Sequence, residues 1–237
     1  MTCEEAEYDR CNKLLTRGHK ADAVTALEIA TETFPNSSQL WRLLGVALSS
    51  VGRELEALEC YECAAAVARE SEDAAEVLGL MVPALIENDD LDYADETVKT
   101  LSSVGVPNGI VARCHASLSI ARDNPSEAIT HIRKAMEHIA DFDEPDRATA
   151  DLLVLRAQAH VIAGEFAEAA DVLRQSLDID ADAGARLFLV RVLLESGDRK
   201  AAADESARID FQYLDEGQHS AFLLVCDVLG PFPRDRG

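Results

Sequence analysis

Six cysteines, six histidines and 44 acidic residues are the chemistry-bearing groups of this 237-residue chain. Cys60 and Cys63 form its one C-x-x-C pair. On a helix that spacing puts both sulfurs on one face, which would suit half of a zinc site. A structural site needs two further ligands at compatible spacing, and neither a second C-x-x-C nor an H-x3-H occurs. No strand–helix context supports a thioredoxin-like redox role. Small, partly buried packing residues beside Tyr61 are the simpler reading. Asn88, Asp90 and Asp92 alternate like the start of a calcium loop. The sixth place should be Gly and is Tyr93, and the twelfth should be Glu and is Lys99. These residues read instead as an acidic turn.

The histidines are His19, His115, His131, His138, His160 and His219, and none forms H-E-x-x-H. His160 falls at an interior helical place, where a packed neutral ring is the expectation. The chain has no G-x-S-x-G, no glycine-rich phosphate loop and no Cys–His pairing suggestive of a nucleophile. The sequence therefore calls for no catalytic residue, no metal and no cofactor, and the expectation is that the protein is not an enzyme.

Net charge points the same way, toward recognition of proteins. With 44 acidic against 22 basic residues the chain carries −22. It repels phosphate backbones and anionic membrane surfaces, so neither nucleic acid nor membrane is an expected partner. General solubility and adaptation to a salty cytoplasm both account for such acidity; the scarcity of Lys, with five among the 22 cations, leans toward a high-GC or salt-adapted source. Glu4, Glu5, Glu7 and Asp9 stand where a secretory signal needs positive charge. No run approaches 18 apolar residues. A cytoplasmic protein with reduced thiols is the expectation.

The elements that would carry any site emerge from spacing. Residues 38–68 read Trp41-x2-Leu44-Gly45-x2-Leu48, then Gly52, then Ala57-x3-Tyr61-x2-Ala64. The alanine recurs as Ala23, Ala57, Ala94, Ala128, Ala169 and Ala202, at gaps of 34, 37, 34, 41 and 33. Four residues later come Leu27, Tyr61, Val98, Ile132, Leu173 and Ser206; seven later come Ala30, Ala64, Leu101, Ala135, Ser176 and Ile209. Five residues earlier come Gly18, Gly52, Asp89, Asp123, Gly164 and Gly197. A tight turn between antiparallel helices needs a residue at positive φ, which Gly adopts freely and Asp tolerates. The alanines follow from packing, because a larger side chain would hold two crossing backbones apart.

This pattern resembles the tetratricopeptide repeat, a helix–turn–helix unit of about 34 residues. Leu48 departs from it where an aromatic is usual, and Arg69 where a proline often closes the unit. The resemblance implies an all-α, right-handed helical solenoid in a single domain, 1–230. Its repeats fall at about 4–37, 38–71, 72–106, 107–140, 148–180 and 182–210. Pro83 lies inside the first helix of the third unit, where it removes a backbone hydrogen bond and predicts a kink. The acidic stretch 141–147, with Pro145, reads as a lengthened loop. An apolar helix at about 215–229, stopped by Gly230-Pro231, reads as the terminal cap such arrays need, and 231–237 as a flexible tail.

The resemblance further implies that the first helices line a concave groove that binds a peptide or partner helix. Fifteen residues before each alanine stand Tyr8, Arg42, Arg113, Val154 and Leu187; eleven before stand Asn12, Val46, Ser117, Gln158 and Arg191, with the lengthened third unit set aside. Both columns should face the groove. Tyr8, Asn12, Arg42, Arg113, Ser117, Gln158 and Arg191 are thus the candidate contact residues. Arginine forks onto carboxylates, so an acidic segment or chain terminus is a candidate ligand; pairing with neighbouring glutamates, or simple solvation, is the alternative. The family's clamp for C-terminal carboxylates uses Lys and Asn at fixed places. Asn12 fits one of them and the lysines are missing. The role implied is a protein–protein interaction module or assembly scaffold. A dedicated chaperone for a secreted or assembling client is the alternative, and self-association through end repeats is a third.

Overall fold

The computed structural model describes residues 2–68, 71–103, 106–209 and 216–229. Among them are thirteen α-helices and no strand. In order they are α1 (Cys3–Thr16), α2 (Lys20–Thr33), α3 (Ser38–Ser49), α4 (Glu54–Val67), α5 (Ser71–Glu87), α6 (Leu91–Ser103) and α7 (Asn108–Ala121), then α8 (Pro125–Glu137), α9 (Pro145–Ile162), α10 (Phe166–Ile179), α11 (Ala183–Glu195), α12 (Arg199–Ser206) and α13 (Glu216–Leu229). Arg69, the Gly230-Pro231 stop, residues 232–237 and the side chain of His219 lie outside the described part.

The two recurring columns explain the helices. All six turn residues have positive φ: 81° at Gly18, 76° at Gly52, 61° at Asp89, 52° at Asp123, 76° at Gly164 and 87° at Gly197. A left-handed residue there closes one helix and returns the chain antiparallel. All six landmark alanines are fully buried. Helix starts are capped by side chains placed for it: Thr2 accepts from the Glu5 amide at 3.2 Å while Glu5 Oε2 accepts from the Thr2 amide at 2.6 Å, a reciprocal box. Ser37, Asn124, Asp182 and Asp198 cap α3, α8, α11 and α12 in the simpler one-way form.

The chain divides into two compact units, Met1–Ala121 and Arg122–Gly237. In the first, α1 packs on α3, α3 on α5 and α5 on α7, so the first helices of successive hairpins form one layer. The second helices α2, α4 and α6 each pack against the first helix that follows. Its core joins Leu27, Leu40, Leu44, Leu48, Tyr61, Met81 and Leu85. The second unit has its own core, with Leu153, Leu173, Leu187, Leu189, Val190 and Val225.

Two local expectations are corrected. The stretch 141–147 is not all loop. A 3-10 turn occupies Ile139–Asp141, and Pro145 is the first residue of α9, because proline's fixed φ and missing N–H suit a helix start. Cys60 and Cys63 do not share an environment: Cys60 is buried and Cys63 exposed. Three residues advance a helix by about 300°, enough to carry Cys63 over the edge of the buried face. Among the described residues no group of three or more His, Cys, Asp or Glu is placed to hold a metal, and no helix is long and apolar enough to cross a membrane.

Candidate functional site

In the first unit the candidate contact residues sit on the first-helix layer. Tyr8 and Asn12 lie one turn apart on α1, Arg42 on α3, and Arg113 and Ser117 one turn apart on α7; all are half-buried. Arg42 Nη2 donates to Tyr8 Oη at 3.5 Å, so two of the predicted residues meet directly. Arg42 and Arg113 both have further interactions within the protein. In the second unit Gln158 is half-buried on α9 and Arg191 is exposed on α11. Leu187, expected on the groove side, is only 4% exposed and shares a core with Val225 of α13. There α13 lies against α11.

Counting back from Ala94 as well shows what the sequence reading omitted. The extra residues of the third unit lengthen α5 at its start, and Asp89 keeps the common turn, so the two places fall on Gly79 and Pro83. A Cβ built on Gly79 would meet nothing closer than Ile110 Cγ2 at 4.0 Å. Between Arg42 on α3 and Arg113 on α7 the layer therefore has a helix with short side chains at the equivalent places. The constant five-residue offset from Asp89 to Ala94 was the signal.

Beside the N-terminal ends of α1 and α3 a cleft of about 590 Å³ opens, with Glu4, Glu5, Asn36, Ser38 and Gln39 around Phe34. Glu4, Tyr8 and Asn12 follow each other at four-residue intervals on α1, and Ser38, Arg42 and Val46 do the same on α3. Residues so spaced share a helix face, so the cleft is the upper end of the strip that Tyr8 and Arg42 occupy.

Other titratable groups are accounted for structurally. Asp90 Oδ1 accepts from the Tyr93 amide at 3.2 Å, which makes the acidic turn a helix start. His160 is packed as expected, but its Nδ1 lies 2.7 Å from Glu165 Oε2. In the second unit Arg186 reaches Glu205 at 2.7 Å, a largely enclosed bridge tying α11 to α12.

These hairpins, their glycine or aspartate turns and their buried alanines match a known family: residues 109–182 fit the tetratricopeptide repeat model. The chain has the tetratricopeptide repeat fold. Solved repeat proteins of the same fold agree. One from Parabacteroides merdae superimposes with a TM-score of 0.75 at 14% identity, over 94% of this chain and 83% of that one. A thermophilic repeat protein from Thermus thermophilus gives 0.62 at 19%, over 80% and 98%. The Cut9-Hcn1 structure from the APC/C gives 0.73 at 12%, over 95% of this chain; the repeat protein spans only 42% of that longer one. Residues 5–76 also match the bacterial transcriptional activator domain. No curated protein sequence matches the repeat protein.

Proposed function

We propose that this repeat protein is a non-enzymatic interaction module that binds a peptide or partner segment along the first-helix layer of its first unit. The observation that carries the reading is the continuous strip on α1 and α3. It runs from the cleft at Glu4 and Ser38, through the Tyr8–Arg42 contact at 3.5 Å, to Asn12 and Val46. Beyond it α5 offers only Gly79 and Pro83 at the equivalent places before Arg113 and Ser117 on α7. An extended segment could lie there with little to displace. Half-buried arginines in a chain of net charge −22 favour a partner carrying an acidic stretch or a free carboxylate. Gln158 and Arg191 of the second unit are proposed as separate contact points.

The match of residues 5–76 favours one setting in particular, a regulatory complex. In it the first unit docks on a partner protein, and the overall acidity leaves contact with DNA to that partner.

Affinity capture from the native lysate tests the proposal. Tagged wild-type protein is expected to retain a defined partner, and Arg42→Glu/Arg113→Glu to lose it while keeping its helical circular dichroism. Equal recovery by the folded variant would remove the groove from consideration.

A further inference from the structure

The cleft at the upper end of the strip is charged in one sense only. Its walls carry the carboxylates of Glu4 and Glu5 and neither Lys nor Arg. Glu5 is engaged by the Thr2 amide at 2.6 Å. Glu4 is exposed and has no hydrogen bond or ion pair among the described residues. Helix ends add to the negative side. Thr33 and Phe34 close α2, Val67 closes α4, and neither last turn holds a basic residue. The carbonyls of such ends favour a positive charge. The N-terminal ends of α1 and α3 also reach the cleft, but they are already answered. The Thr2–Glu5 box and the Glu4 charge serve α1, and Ser37 accepts from the Leu40 amide at 3.4 Å in α3. Between them stands the half-buried ring of Phe34, and aromatic faces attract cations.

We propose that this cleft receives a lysine or arginine side chain of the same partner segment whose carboxylate meets Arg42. The inference rests on the groove reading above and adds a second charge to the partner, at a defined spacing. Glu4 and Tyr8 are four residues apart on α1, so about 6 Å separates them along the helix, and Tyr8 Oη is in contact with Arg42. An extended segment advances about 3.3 Å per residue and returns to the same side at every second residue. A base and an acid two residues apart on the partner therefore reach the Glu4 cleft and Arg42 together. A segment of one charge fits less well. A purely acidic one would have to pass Glu4 to lie along the strip, and a purely basic one would meet Arg42. Reversing the segment sets like charges against each other at both points, so the order of the two residues fixes the direction in which it runs.

The test uses the full chain labelled with 15N-tryptophan. Trp41 is the single tryptophan, and its indole Nε1–H donates at 2.9 Å to the carbonyl of Pro35, a residue of the cleft wall. One indole signal therefore reports on the site. The probe is acetyl-Ala-Lys-Ala-Glu-Ala-amide, and calorimetry of the same titration gives its affinity. One control peptide replaces the lysine by glutamine, and another inserts an extra alanine between the two charges. The probe is expected to shift the indole signal saturably, and each control should bind about threefold to tenfold more weakly. Glu4→Gln, at an exposed place, should remove most of the preference for lysine and leave the glutamine control unchanged. Equal binding of probe and glutamine control, or a probe affinity unmoved by Glu4→Gln, would overturn the cleft as a cation receptor. If the glutamine control still binds and Arg42→Glu abolishes that binding, the groove reading stands and this one falls. Failure of every peptide to bind would overturn the paired site, and partner capture dependent on Arg42 and Arg113 would decide the groove separately.

Discussion

The second and fifth hairpins solve the same crossing problem with different side chains. In α3 and α4, Gly45 lies under the Tyr61 ring; in α9 and α10 the equivalent pair is Ala157 and Leu173, all but Gly45 sitting at 2% exposure or less. Where the partner is a broad ring the crossing helix gives up its Cβ, and where the partner is a narrower leucine a methyl fits. The neighbouring places diverge more. Leu44 and Leu48 of the second hairpin become Arg156 and His160 in the fifth, and Ala64 becomes Ser176. Ser176 is accommodated by donating to the Ala150 carbonyl at 3.0 Å, and His160 by Glu165. Arg156 Nε and His160 Nε2 are buried without a hydrogen-bond partner among the described residues. One hairpin has an apolar, tightly fitted interior, and the other trades fit for polarity that is only partly satisfied.

The largest effect should come from disturbing the tight crossing. A Cβ on residue 45 would stand 2.7 Å from Tyr61 Cδ1 and 2.9 Å from Cζ, and the ring is enclosed and cannot swing away. Gly45→Ala should cost about 3 kcal/mol despite the better helix propensity of alanine. Adding Tyr61→Leu copies the fifth hairpin's pair and should recover at least half of that loss. Urea unfolding of the two single variants and the double variant measures the coupling. Additive costs, with no recovery in the double variant, would mean that the pair does not set the helix spacing.

What the sequence could and could not reveal follows from the same contrast. Alanine and glycine or aspartate recur because backbone geometry demands them, whatever lies outside the hairpin; the positive φ of Asp89 and Asp123 shows the demand reaching even residues that resist it. The phase of each helix was legible too, which is why Tyr8, Asn12 and Arg42 fall on one layer. Spacing does not say which neighbour covers a given face. Leu187 was expected on the groove side and is buried in a core that includes Val225, while Leu223 and Leu224 of the same terminal helix are 57% and 67% exposed. A buried histidine reads as apolar packing until its partner five residues on is seen, and Pro145 reads as loop although it equally opens a helix.

The polar interior of the fifth hairpin should be improvable, by a smaller amount. His160→Leu restores the residue type of Leu48, removes a buried nitrogen that lacks a partner, and leaves Glu165, about half exposed, free to be solvated. Stability should rise by about 1–2 kcal/mol, read as a shift in the urea midpoint at pH 7.5 with unchanged slope. A loss of comparable size would show that the His160–Glu165 contact outweighs the unpartnered nitrogen, and the two hairpins would then be equally well satisfied.

The smallest effect is the first unit's response to pH. Several of its buried thiols and phenols are displaced from their ordinary range. Burial pushes Cys60 and Tyr61 up to about 12 and Cys114 up to about 11, and raises Cys11 and Tyr93 as well. A raised value means that the folded state holds its proton where the unfolded chain releases it. The stabilising difference is therefore complete below the unfolded thiol value near 9 and is lost as pH climbs from there toward the folded values. Trp41, the single tryptophan, lies in the first unit and reports on it alone. Its urea midpoint should fall between pH 7.5 and 9.5 by an amount worth less than about 1 kcal/mol per buried thiol. Cys60→Ala and Cys114→Ala lower the starting stability by leaving small cavities, but each should flatten the pH dependence. A slope unchanged in both variants would mean that ionisation elsewhere in the first unit governs its response to alkali.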